Sequence, residues 1–105
     1  MDRIELKKLL KNNNIPTYVY NLDEVGRDDE RLCLRFADGK WNVYFSERGV
    51  KTTDLFFDSE DEACKYILHE IEYVRQLIVD YFFILLIQIY LLTHILMKMI
   101  LSKNK

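Results

Sequence analysis

The sequence predicts an α+β fold: an antiparallel four-stranded sheet flanked by an N-terminal helix and a long C-terminal helix, in the order α-β-β-β-β-α. Three observations predict it. Residues 31–36 and 40–46 alternate apolar and polar side chains around Asp38-Gly39. Ser59-Glu60-Asp61-Glu62 is a capping box followed by apolar residues at helical spacing. From residue 77 to residue 101 the chain is apolar nearly throughout. A chain of 105 residues, half of them apolar and 30% charged, has room for one modest core and is not disordered by composition.

Asp2 can cap a first helix over residues 3–12, with Leu6, Leu9 and Leu10 on one face and Lys7, Lys8 and Lys11 outside. Asn12-Asn13-Asn14 and Ile15-Pro16 end it, because Asn tolerates the left-handed cap and Pro disfavours helix in its predecessor. Residues 17–22 are rich in strand formers and read as an edge strand. A polar loop over 23–30 follows. Asp38-Gly39 is a favoured pair for a type I′ hairpin turn. That turn sets a register: Phe36 opposite Trp41, Leu34 opposite Val43, and Leu32 opposite Phe45, all on one face. The other face then pairs Arg35 with Asn42, Cys33 with Tyr44, and Arg31 with Ser46. A slip of one residue would destroy this sorting. A turn at Glu47-Arg48-Gly49 leads to a fourth strand over 51–57, and the capping box opens a helix whose Ala63, Ile67, Ile71 and Val74, with Tyr66 beside them, can close over the sheet.

This organisation predicts an α+β binding domain over residues 1–75 and an apolar helix over residues 76–105. Among residues 77–101 only Asp80, Gln88, Thr93, His94 and Lys98 are polar. As a helix the segment is about 37 Å long, against a bilayer core of about 30 Å. The thirteen Leu, Ile and Phe between residues 81 and 101, at about −0.5 kcal/mol each, outweigh about 2 kcal/mol each for Gln88 and His94. Three readings stay open: a membrane-associating helix, an oligomerising or self-covering helix, and an aberrant tail of the composition that an AT-rich frame yields past a frameshift. Asp80, His94 and Lys98 lie within about 40° on a helical wheel.

No catalytic, cofactor or metal set is visible. His69-Glu70 lacks the second His that a zinc-protease helix carries four residues on. There is no GxSxG, P-loop or CxxC, and Cys33 and Cys64 read as two small buried side chains of a cytoplasmic protein rather than as a bridge. The N-terminal residues show no secretory signal. Residues 1–62 carry ten Lys/Arg and fourteen Asp/Glu, which argues against nucleic acid and suits a basic protein partner. The side chains expected to meet that partner are Asp23, Glu24, Asp28, Asp29 and Glu30 on the loop, Arg35 and Tyr44 on the polar sheet face, and Glu47 and Arg48 at the second turn.

Residues 39–49, Gly-Lys-Trp-Asn-Val-Tyr-Phe-Ser-Glu-Arg-Gly, and the later run Asp58-Ser59-Glu60 with Glu62-Ala63-Cys64 and Tyr66 carry a resemblance. They resemble small immunity proteins encoded beside bacterial polymorphic or contact-dependent toxins. With the Asn14-Ile15-Pro16 break, the similarity covers residues 1–72. It implies a non-catalytic cytoplasmic inhibitor that binds and occludes a cognate toxin, often a nuclease. The tail departs from the pattern, which leaves a membrane-tethered structural or regulatory subunit as the alternative.

Overall fold

The computed structural model describes residues 1–103. Its elements follow from local chemistry. In α1 (Arg3–Asn12) the Asp2 carboxylate accepts the Glu5 N–H at 2.9 Å, the expected cap. Asn14 turns the chain out with φ 59°. Leu6 and Leu10 are buried, whereas Leu9, about 60° round the helix from Leu6, is 37% exposed.

The strand expected over 17–22 is shorter. Pro16 accepts the Val19 N–H at 3.1 Å and starts a 3-10 turn, Thr17–Val19, so only Tyr20–Leu22 (β1) is extended. The other strands are β2 (Arg31–Ala37), β3 (Lys40–Glu47) and β4 (Val50–Phe57), in sheet order β1-β2-β3-β4. The β2–β3 hairpin has the register that its alternation predicts, with Phe36 opposite Trp41, Leu34 opposite Val43 and Leu32 opposite Phe45. The Phe36 and Trp41 rings lie 4.7 Å apart. Asp38 and Gly39 both adopt positive φ, 54° and 74°, as the tight turn requires. Between β3 and β4 the register shifts: Phe45 and Ser46 oppose Thr53 and Lys51, leaving Thr52 over as a bulge.

The sheet is mixed, which corrects the expectation of a purely antiparallel one. β1 runs parallel to β2, with Tyr20, Asn21 and Leu22 beside Leu32, Cys33 and Leu34. Parallel neighbours need a crossover rather than a hairpin. Residues 23–30 supply it, because β1 has only three residues to retrace, about 10 Å at strand rise, and eight residues reach more than twice that far. Positive φ at Asp23 (57°) and Glu30 (59°) makes the two reversals.

The crossover lies over the polar face of the sheet, so that face is not free as the hairpin pattern alone suggested. The apolar face is closed by α1 and the first turns of α2 (Glu60–Lys103). Ser59 caps α2, its Oγ accepting the Glu62 N–H at 3.1 Å. Leu6, Leu10, Tyr20, Leu22, Leu34, Val43, Ala63, Cys64, Ile67 and Ile71 form one core cluster. Val74, expected to continue the α2 stripe, is 50% exposed.

The chain divides into two compact units, Met1–Ile71 and Glu72–Lys105. The first holds α1, the sheet and the opening turns of α2. Within the second, α2 continues as a helix apolar on nearly all sides, and its large side chains from Leu77 to Leu101 are exposed apart from half-buried Leu85.

Candidate functional site

The polar sheet face is organised by Asp28. The crossover places its carboxylate against Arg35 of β2 at 2.6 Å and against the Tyr44 hydroxyl of β3, which donates at 2.7 Å. Arg35 also donates to Asn21 Oδ1 at 2.9 Å, and Asn21 in turn reaches the Arg27 carbonyl at 3.3 Å. Beneath them the Cys33 thiol donates to the Asp28 carbonyl at 3.5 Å. Asn42 donates to Asp54 at 2.8 Å and to the Leu55 carbonyl at 2.9 Å, while Lys51 sits 4.2 Å over the Tyr44 ring. Asn21, Cys33, Asn42 and Tyr44 are all buried.

Burial raises the Tyr44 phenol pKa, and donation to Asp28 raises it further. Burial likewise pushes the Cys33 thiol up to about 11, with the nearby Asp28 charge adding to it. Both groups are therefore neutral near pH 7, and a neutral, enclosed thiol is a poor nucleophile. The cluster acts as a fastening between crossover and sheet.

The residues expected to meet a partner divide sharply. Asp23 is paired with Arg3 at 2.8 Å and Glu24 with Lys7 at 2.8 Å, so two loop carboxylates tie the crossover to α1. Asp28, Arg35 and Tyr44 are joined to one another. Asp29 accepts the Arg48 N–H at 2.9 Å, and the Glu30 N–H donates to the Ser46 carbonyl at 2.6 Å. The crossover and the β3–β4 turn thus meet, bringing the exposed side chains of Glu30, Glu47 and Arg48 to one corner of the unit. The Ser46-Glu47-Arg48-Gly49 string acquires a structural role there: Ser46 and Arg48 hold the crossover by their backbones, and Arg48 (φ 52°) and Gly49 (φ 80°) form the turn.

Sequence reasoning missed a cavity of about 110 Å³ beside β1, bordered by Lys7, Tyr20, Glu24 and Arg31. The Arg31 guanidinium donates to the Thr17 carbonyl at 3.5 Å, and the Tyr20 hydroxyl is buried without a hydrogen-bond partner among the described residues. Nothing in the strand-like run 17–22 signals this. Among the described residues no cluster of His, Cys, Asp and Glu has the makings of a metal site.

The class that fold and site define, among the described residues, is a small α+β unit with a mixed sheet, joined to one helix long and apolar enough to cross a membrane. No family model matches the chain, no curated protein matches it, and no solved structure matches it.

Proposed function

We propose that this protein is a membrane-tethered binding protein, with Met1–Ile71 as the binding unit and residues 77–101 as the tether. One observation carries the reading: the mean hydropathy of the most apolar window of α2 is 2.0, and none of that window is buried. The nineteen exposed large apolar side chains between Leu77 and Leu101 would drive aggregation in water, whereas lipid covers them without a protein partner. The helix satisfies its own backbone, as a bilayer requires. Thr93 adds to this by donating its hydroxyl to the Ile89 carbonyl at 2.8 Å. Lys98 and Lys103 are long enough to reach a headgroup layer from their end of the segment. The test is fractionation of the full chain: resistance to alkaline carbonate extraction is expected, and recovery wholly in the detergent-free soluble fraction overturns the reading.

A second reading assigns the binding unit to toxin immunity. The resemblance at residues 39–49 and 58–66 favours it, and the exposed carboxylates of Glu30 and Glu47 offer a basic partner an acidic corner. On this reading the unit is non-catalytic and works by occlusion of the toxin. Co-expression with the toxin encoded by a neighbouring gene tests it. Protection that disappears with Glu30→Lys and Glu47→Lys supports the corner as the contact. Toxicity unchanged by the protein removes the reading.

A further inference from the structure

Resting on the membrane-tethered reading, we propose that the tether pairs in parallel with the tether of a second copy of this chain. The seam carries Asp80, Ile84, Ile87, Leu91, His94 and Lys98, with Gln88 at its flank. These positions, with Leu77 before them and Leu101 after, alternate by three and four residues, the spacing of a heptad seam. If Leu77 is taken as position a, Asp80 and His94 fall at d, Lys98 at a and Gln88 at e. Every polar side chain of the segment therefore lies on the seam or its flank, except Thr93 at position c. Thr93 is the one whose hydroxyl its own helix already satisfies.

Depth selects the side chains that need a partner. At helical rise, Gln88 is about 2 Å and His94 about 8 Å from the midpoint of the segment, both well inside a hydrocarbon core about 30 Å thick. Asp80 accepts a hydrogen bond from Gln76 at 2.9 Å and lies near one edge, and Lys98 lies near the other. Among the described residues Gln88 and His94 form no side-chain hydrogen bond, and lipid offers none. Polar side chains at such depth face another helix. A second copy fits the chemistry because an imidazole ring and a primary amide can each offer both a donor and an acceptor. Across a symmetric parallel seam His94 at d meets its own counterpart and is self-complementary, Gln88 flanks it, and Ile84, Ile87 and Leu91 pack between, while the like charges of Asp80 and Lys98 fall near the two edges within reach of headgroup water. Copies inserted with their binding units on one side of the membrane meet in parallel.

The full chain in phosphatidylcholine vesicles, carrying Ile87→Cys on the seam or Ile89→Cys on the opposite side, tests this under oxidation. The two native thiols are buried and give little background. A disulfide-linked dimer is expected from Ile87→Cys and not from Ile89→Cys. Adding His94→Leu or Gln88→Leu is expected to lower its yield by about threefold each. Equal yields at the two positions, or linkage only between Ile87→Cys and Leu91→Cys copies, overturn the parallel seam while vesicle-bound protein leaves the tether standing. Protein that stays out of the vesicles overturns both.

Discussion

The Tyr44 hydroxyl donates to the Asp28 carboxylate at 2.7 Å across sixteen positions of sequence. This bond joins the middle of the sheet to the crossover, and Arg35, at 2.6 Å from the other carboxylate oxygen, completes the fastening. An acidic loop that reads as available to a partner is thereby a cover of the sheet. Of its carboxylates, Glu30 emerges at the corner that it shares with Glu47 and Arg48.

If this fastening holds the crossover, Tyr44→Phe removes one hydrogen bond to a charged acceptor and destabilises by about 1–2 kcal/mol. Asp28→Ala costs more, about 2–3 kcal/mol, because Arg35 and Tyr44 lose their partner together. Urea unfolding followed through Trp41, the single tryptophan, measures both. Wild-type stability in Asp28→Ala contradicts the assignment.

Gly39 stands at φ 74°, and a Cβ there meets nothing within 4 Å. Gly39→Ala therefore tests backbone strain without a clash, with an expected loss of about 1 kcal/mol. Gly39→Asn is expected to lose less, since Asn tolerates the left-handed region. The same unfolding experiment ranks the two.

Ile67 is fully enclosed, whereas Val74, seven residues on, is 50% exposed. Ile67→Ala should cost about 2–5 kcal/mol by opening a cavity. Val74→Ala should stay within about 0.5 kcal/mol. Equal effects would move the limit of the core along α2.

Burial pushes the thiols of Cys33 and Cys64 up to about 11, above their ordinary 9.0. Since the folded values exceed the unfolded ones, the native state holds those protons longer. The stability they contribute is present below pH 9 and is lost as pH rises toward 11. Ellman's reagent at pH 8 is expected to find both thiols unreactive until the chain is unfolded in urea. Rapid native reactivity of either thiol places it at the surface instead.

Short-range chemistry was legible in the residues themselves. Asp2 and Ser59 announce the helix starts, and the alternation around Asp38-Gly39 dictates the β2–β3 register, because a one-residue slip would expose Leu34 and Val43. The apolar length of residues 77–101 is likewise a property of composition. The loop carboxylates were visible as charges, but their partners were not: Arg3, Lys7, Arg35 and Tyr44 lie between 16 and 20 positions away, or 7 in the case of Arg35 and Asp28.

Sequence alone therefore determined where helices start, which hairpin side chains share a face and which segment avoids water, since each depends on neighbours along the chain. Only tertiary structure decided that β1 runs parallel to β2 and that the crossover shields the polar face. An eight-residue polar loop is chemically compatible with a hairpin or a crossover. The choice is made where Asp28 meets Arg35 and Tyr44, a contact that exists only after the sheet has formed.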